Sequence, residues 1–461
     1  MNANHLSKPG PAAGATVCLL PLLLCLSAGA VAQTLNPAEQ FQGIVDSDAT
    51  GPNSSASGQA ILDTCVTGAN GASQAANNNR FQDDCNLLVG GSVADPAGVT
   101  AALNSLAADQ ISAQNAVSVR RNDANLSIIT QRMQLLRLTG GMSSFAESEL
   151  IADNRLFADM TGGGASADAM QSRLGAFINA RYITGDQDDN RVQDGYDFDG
   201  WGALLGMDYR FTDNLVAGLA LNYSDGEVDY DRRAGKLDTQ TWGATAYGTY
   251  YLEDGWFFEG SAGYSRVDYD MTRHIVYSIA GNAANQAMTS SPEGDLVTLS
   301  VGGGYVHNSE AWSITPSLRL DYVENDVDGY SERSTDLQQT GGAMALAVGS
   351  ITYESFTSNL GVQLANAIST ASGVIIPQAS ATWVHEFEDG GETIRARYRD
   401  DINQTGFLIA TTDLDSDYFD LALGVSGQFQ GGRSAFISYR TIVGYDGLSY
   451  SLIEAGLRFE L

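Results

Sequence analysis

Trp312-Ser313-Ile314-Thr315-Pro316-Ser317-Leu318-Arg319-Leu320-Asp321-Tyr322 is the stretch that decides the fold. Trp312, Ile314, Leu318, Leu320 and Tyr322 fall on one face, and Ser313, Thr315, Ser317, Arg319 and Asp321 on the other. Period two with one apolar and one polar face marks a strand. A soluble sandwich would bury the apolar face under a second sheet. A membrane barrel instead shows that face to lipid and keeps the charged face around a wet lumen. In hydrocarbon every backbone polar group must be paired within the protein, so such a sheet has to close. Aromatic residues at both ends of the run suit the two membrane interfaces.

The same layout recurs on both sides of this run. Trp201–Phe211 and Leu215–Tyr223 flank Thr212-Asp213-Asn214, and Trp242–Tyr250 and Trp256–Tyr264 flank Glu253-Asp254-Gly255. Val297–Tyr305 precedes Trp312–Tyr322. Leu360–Ala367 pairs with Ile375–Trp383, and Tyr418–Phe429 with Ser434–Arg440 across Gly431-Gly432. A strand near Phe177–Thr184 and a last one near Ser449–Leu461 bring the total to about twelve antiparallel strands, each of membrane-crossing length. Every second connection is tight. The others are mostly long and polar: Gly185–Tyr196, Asp225–Lys236, Asp270–Gly294, Glu324–Ala343 and Glu388–Asp413, with only Gly444–Gly447 short. Short turns on one side and long loops on the other characterise an outer-membrane barrel. The fold class is therefore an all-β transmembrane barrel preceded by a small, mainly α N-terminal region.

The N-terminal part is built differently. Lys8, the apolar run Val17–Leu26 and Ala30-Val31-Ala32 follow the order of a secretory signal peptide spanning residues 1–32. Cys18 and Cys25 leave with it, so Cys65 and Cys85 remain and are expected to pair in an oxidising periplasm. A loop of that size contributes ~3 kcal/mol in the chain-entropy account. Residues 33–164 are polar, rich in Ala, Gly, Ser and Asn between 49 and 76, with a short apolar stretch at Ala60-Ile61-Leu62. Val99, Leu103 and Leu106, and then Leu126, Ile129, Met133 and Leu136, recur at helical spacing. Arg120-Arg121-Asn122 separates the two stripes, which predicts an antiparallel helix pair. Gly162-Gly163-Gly164 reads as a joint before the barrel, residues 165–461.

Composition narrows the function. The 461 residues include 51 Gly but 9 Pro, and 24 basic against 55 acidic groups give a net charge of −31. Lys236 is the one lysine beyond the signal region, so nucleic acid is excluded as a partner for want of clustered cations. No catalytic set emerges. His385 beside Glu386 is an acid–base arrangement on paper, with a polar pair at the rim of a loop as the plainer reading. Gly424-Val425-Ser426-Gly427 lacks the final glycine of a nucleophile elbow, where Gln428 stands. The acids Asp186, Asp188, Asp189, Asp194, Asp197 and Asp199 are hard oxygen ligands that calcium would accept, but Arg191 stands where an EF-hand loop turns on glycine, and a solvated acidic loop is the expectation. Nothing points to zinc, to a phosphate loop or to any cofactor.

The terminal run Ser451-Leu452-Ile453-Glu454-Ala455-Gly456-Leu457-Arg458-Phe459-Glu460-Leu461 resembles the signal read by the barrel-assembly machinery, with Glu454, Gly456, Phe459 and Leu461 in the recognised places. Leu461 stands where Phe or Trp is usual. With Ile314–Tyr322, and Pro377 followed by Trp383-Val384-His385-Glu386-Phe387, the region from about 170 to 461 resembles the barrel of the autotransporter family. The resemblance implies a twelve-stranded barrel with a helix in its lumen, Ala167–Leu174 leading into the first strand, and an N-terminal passenger carried to the cell surface. The polar residues Arg181, Asp208, Arg210, Glu259, Arg319, Asp321, Arg440 and Arg458 would line that lumen. Implied partners are outer-membrane lipids, the secretion and barrel-assembly machineries and periplasmic chaperones; no surface ligand is indicated. The passenger departs from the family's long β-helix and lacks a Gly-Asp-Ser-Leu run, so esterase activity is not implied. A porin-like channel or a surface adhesin, with the N-terminal domain periplasmic or plugging, is the alternative.

Overall fold

The period-two runs form a closed wall in the structure, a computed structural model that describes residues 36–67, 79–112, 129–134, 136, 173–309 and 311–461. Residues 1–32 with Cys18 and Cys25, Leu126, Gly162-Gly163-Gly164 and Ala167–Gln171 lie outside these residues. Pro37–Leu461 is one compact unit.

Among the described residues twelve long antiparallel strands follow one another around a barrel: β1 (Leu174–Gln187), β2 (Tyr196–Arg210), β3 (Leu215–Tyr230), β4 (Gly235–Tyr251), β5 (Trp256–Ile279), β6 (Glu293–Tyr305), β7 (Trp312–Val327), β8 (Ile351–Asn366), β9 (Gly373–Glu386), β10 (Asp417–Phe429), β11 (Arg433–Val443) and β12 (Leu448–Glu460). Sequential neighbours pair, β5 with β6 from Trp256 opposite Tyr305, and β12 closes on β1 with Gly175 opposite Glu460 and Gln187 opposite Leu448. Both barrel ends, Leu174 and Leu461, lie on the side of the tight turns, where the Leu461 amide donates to the Leu174 carbonyl at 2.9 Å.

Most strands are longer than the sequence patterns indicate, chiefly toward the long-loop side. On β5 the outward side chains run Trp256, Phe258, Tyr264, then Arg266, Asp268, Asp270 and His274, while the buried ones run Glu259, Ser265, Val267, Tyr269, Met271, Ile275, Tyr277 and Ile279. β3 behaves alike. Leu219 (68% exposed) and Leu221 (64%) face out beneath Tyr223, whereas above it Asp225, Glu227 and Asp229 face out and Val228 and Tyr230 turn in. β7 passes from Leu318, Leu320 and Tyr322 to Glu324 and Asp326. The apolar face thus switches from outside to inside at one height, marked by Trp201, Tyr223, Trp242, Tyr264 and Tyr322. Trp201, Tyr223 and Trp242 stack there, with ring centroids 5.2 and 4.3 Å apart. Trp242 and Tyr250, or Trp256 and Tyr264, stand eight residues apart, which for a tilted strand spans roughly 20 Å, close to an apolar band.

The switch corrects the loop assignments. Asp225–Lys236 and much of Asp270–Gly294 are strand rather than loop, because their outward residues face water instead of lipid and carry no apolar signal. His274 lies within β5 and not in a connection. Above the girdle the strands form a second, water-exposed collar. The long connections add to it: Asn282–Ser290 folds back onto β5, and Tyr330–Ser331, Leu346–Val348, Thr393–Tyr398 and Gly406–Ala410 make a separate four-stranded sheet. Inside the collar Arg273 and Glu332 form a buried pair at 2.6 Å, with the Leu346 amide donating to the same Glu332 oxygen at 2.8 Å.

Four helices precede the barrel: α1 (Pro37–Val45), α2 (Pro52–Leu62), α3 (Asn79–Ala94) and α4 (Pro96–Leu106). Ala60-Ile61-Leu62 closes α2, and the Asp95 carboxylate caps α4 by accepting from the Gly98 amide at 3.0 Å. Val99, Leu103 and Leu106 are fully buried on α4, and among the described residues they do not pack on the second stripe. Ile129, Met133 and Leu136 pack on the barrel wall instead, since a helical stripe specifies an apolar neighbour without saying which one. Leu174, expected to end a helical lead, is the first residue of β1.

The height of the switch is testable on β5 itself. Ala262→Arg, facing lipid, is expected to cost about 2–4 kcal/mol. Asp268→Arg, facing water three repeats of the pleat higher, should change stability by less than about 0.5 kcal/mol. Urea unfolding of the two variants in lipid vesicles measures both.

Candidate functional site

Residues 129–134 and 136 are helical and sit in the lumen, touching opposite walls. On one side Ile129, Met133 and Leu136, spaced four and three apart, pack on Phe177, Leu204, Val216, Ala220 and Tyr247. On the other, Gln131 and Gln134 face a polar cavity whose far wall carries Gln363, Gln378, Ser380, Ser438 and Arg440. The helix is therefore amphipathic toward a lumen that is itself two-sided, apolar along β1–β4 and polar along β8–β11.

Between these faces Arg132 forms a buried ion pair with Asp208 and lies 4.6 Å over the Phe177 ring. Arg458 reaches Asp208 from β12 at 3.4 Å. The other polar positions also turn inward. Arg181 and Glu259 are buried; Arg319 pairs with Asp321 at 2.8 Å, and Asp321 accepts from Ser300 at 2.6 Å and Asn359 at 3.0 Å. Arg440 stands 3.6 Å from Asp420, and Arg210 is half-buried at the turn end. Among the described residues Asp208 pairs with the lumen helix through Arg132, and Arg440 lines a cavity with Gln131 and Gln134. In the sequence Arg132 stands as an arginine inside an apolar stripe, the pattern of a charge buried against a partner on another element.

The last strand divides its residues by face. Glu454 is buried toward the lumen, and Phe459 (43% exposed) and Leu461 (67%) face outward. A Cβ on Gly456 would fall 2.1 Å from Asn179 Oδ1 and 2.3 Å from the Phe436 ring, so the strand fits there only with glycine.

The readings centred on chemistry separate in space. His385 faces outward and its Nδ1 lies 3.0 Å from Asp417, whereas Glu386 turns inward to accept from the Ser355 hydroxyl at 2.6 Å and the Phe356 amide at 2.9 Å. Neighbours on a strand point to opposite faces, so they make no acid–base pair. The acids of the first long loop diverge likewise. Asp186 accepts from Ser449, Asp189 and Asp194 pair with Arg232, and no group of three or more His, Cys, Asp or Glu among the described residues converges as a metal site.

On the collar sit α1–α4 with the segment to Ser112, joined by the Cys65–Cys85 disulfide, Cα atoms 5.8 Å apart. Polar groups fix the seat. Asn53 donates to the Val192 and Ala410 carbonyls at 2.9 and 3.1 Å and accepts from the Ala410 amide at 2.7 Å. Asp84 accepts from the Gly341 and Ala343 amides at 3.0 and 3.3 Å. Ser57 meets the Tyr398 hydroxyl at 2.7 Å, and Tyr230 donates to the Gln110 carbonyl. Asp95 accepts from the Ala280 amide at 3.0 Å, which with the Gly98 bond holds its carboxyl below the usual range. Burial pushes Asp109 the other way, to about 7, with Asn53 opposing and the Asp194 charge adding to the rise.

Two outcomes follow. Arg132→Ala is expected to cost about 3 kcal/mol, because it leaves Asp208 buried with Arg458, 3.4 Å away, as its nearest cation, and Asp208→Ala in the same chain should add less than its separate effect; calorimetry of the four-protein cycle reads both. Asp109, with its raised value, supports the seated helices below the ordinary carboxylate range and loses that support as pH rises through about 7. Asp95, with its lowered value, supports them above that range and loses support as pH falls. The melting temperature of the helical region should therefore fall as pH rises from about 5 to about 7 and level off above that, and Asp109→Asn should flatten this limb.

Comparison with known proteins gives the following. The family described as autotransporter beta-domain matches residues 176–440, more than half of the chain. Outer membrane protein B of Rickettsia prowazekii (strain Madrid E) is 23% identical over 250 residues, which is 52% of this chain and 14% of that protein, so the chain spans about one-seventh of this relative's length. The translocator domain of autotransporter NalP from Neisseria meningitidis superposes with a TM-score of 0.50 at 15% identity, covering 67% of this chain and 98% of that one. The beta domain of the Bordetella autotransporter Brka gives 0.45 at 16%, covering 63% and 100%.

Proposed function

The chain belongs to the autotransporter family, and from that membership we propose that its barrel, residues 165–461, carries its own N-terminal region, residues 33–164, outward through the lumen. The barrel itself is an outer-membrane β-barrel of a Gram-negative bacterium, and its family's domain serves transport and secretion. The supporting observation is the order of the chain along the barrel axis. Helices α1–α4 are seated on the collar at the long-loop end, residues 129–134 and 136 occupy the lumen, and Arg173 stands at the tight-turn end beside Arg210. A helical region synthesised before the barrel and found on its far side has one protein-lined path available, the lumen, because the lipid-facing wall offers a polar chain no hydrogen-bond partners.

The inner wall suits that task. Several of its charged side chains form local pairs, Arg319 with Asp321 and Arg458 with Glu460 among them, so at those places a passing segment meets neutralised groups rather than bare charges. Arg132–Asp208 then latches the segment that remains. The terminal strand, with Glu454, Gly456, Phe459 and Leu461, is the element we infer the assembly machinery to recognise by edge pairing. The N-terminal region is inferred to carry no enzyme activity, and its role lies in what it presents at the surface. An open-channel function fits less well, since the helix fills the lumen between both walls.

Cysteine labelling on intact cells tests the export step. Asp48→Cys, on the exposed turn after α1, should react with a membrane-impermeant maleimide, and Asp213→Cys, in the β2–β3 turn, should react only after the outer membrane is opened. Protection of Asp48→Cys until that opening would place the helices in the periplasm and overturn the export reading.

A further inference from the structure

We propose that the four-helix region is retained on the barrel by the collar itself, so that it remains bound at the cell surface when the chain joining it to the lumen helix is cut. The proposal rests on the export reading above. Its basis is that helices and collar share one hydrophobic core. Phe41, Ile61, Phe81, Leu88, Leu103 and Leu106 from the helices belong to a single buried cluster with Tyr230, Tyr269, Ile275, Ile279, Tyr353 and Tyr398 from the collar and its loops. A helical unit of roughly 70 residues with one disulfide has little core of its own, and parting it from the collar would expose apolar faces on both pieces.

The contact surfaces are shaped for each other. α3 comes so near to β5 that a Cβ on Gly91 would meet Ile279 at 2.4 Å, an approach that any larger side chain would prevent. The Phe81 ring lies 5.5 Å from that of Tyr398, and Thr64 donates to Asp401 at 3.0 Å. Asn53 and Asp84 satisfy backbone groups of the loops around Ala410 and Gly341, groups that are left buried and unpaired if the helices shift only partly. The inward apolar residues above the girdle have no lipid-facing use. Their place in the fold is to complete the core of the exported segment, which makes the collar its folding surface as well as its anchor.

The test uses the full chain in cells, with an epitope after Asp48 and a site for a sequence-specific protease inserted between Val117 and Ser118. After cleavage on intact cells the epitope is expected to stay in the cell pellet at the level of the uncut control. In detergent, the cut fragment should co-elute with the barrel. In a second chain carrying Gly91→Leu and Asn53→Ala, displayed before cleavage, the epitope is expected to move to the medium once cut. Release of the epitope from the unsubstituted chain overturns retention while leaving export in place. Equal retention of the substituted chain overturns the assigned contacts and the proposal with them. Cleavage only after the outer membrane is opened overturns export itself and, with it, this inference.

Discussion

The rest of the structure depends on one constraint, that each outward side chain must suit the medium at its height. Below the girdle of Trp201, Tyr223, Trp242, Tyr264 and Tyr322 the medium is hydrocarbon, so apolar residues face out and polar ones line a lumen. Above it the medium is water, so Asp225, Glu227, Asp268 and Asp326 face out and the apolar residues turn inward. The strands continue through the boundary without a break in register; only the assignment of the two faces changes. One sheet is thereby a membrane barrel over part of its length and a soluble scaffold over the remainder.

The two halves make different interiors, and each holds a different part of the N-terminal region. The lower lumen is mixed in polarity and, among the described residues, holds the amphipathic helix latched by Arg132 and Asp208. The upper interior is largely apolar and packs against the four helices, with Asn53, Asp84 and Asp95 binding backbone groups at its edges. Burial in that seam also explains the opposed behaviour of Asp109 and Asp95. One carboxyl is desolvated near another acid, whereas the other accepts two backbone amides.

Much of this was legible from the residues, and the omissions have physical causes. Lipid-facing stretches such as Trp312–Tyr322 announce themselves because aromatic ends, apolar alternation and tight turns coincide. The extension of β5 from Arg266 to Ile279 kept its period two, with Val267, Tyr269, Met271, Ile275, Tyr277 and Ile279 alternating, but its charged outward partners looked like loop. Alternation fixes a strand; it does not say which face is buried. Likewise Ile129, Met133 and Leu136 revealed a helix while leaving open whether its neighbour was α4 or the wall of the barrel. His385 and Glu386 were adjacent in sequence, and the pleat placed them back to back.

A spin-label accessibility scan along the outward positions of β5, from Phe258 to Ser278 in lipid bilayers, tests the inversion most directly. Collision with oxygen should exceed collision with a water-soluble nickel reagent through Tyr264, and the order should reverse from Arg266 onward. Oxygen dominance continuing to Val276 would contradict it, since the collar would then lie within the membrane and could not be a water-exposed seat for the helices.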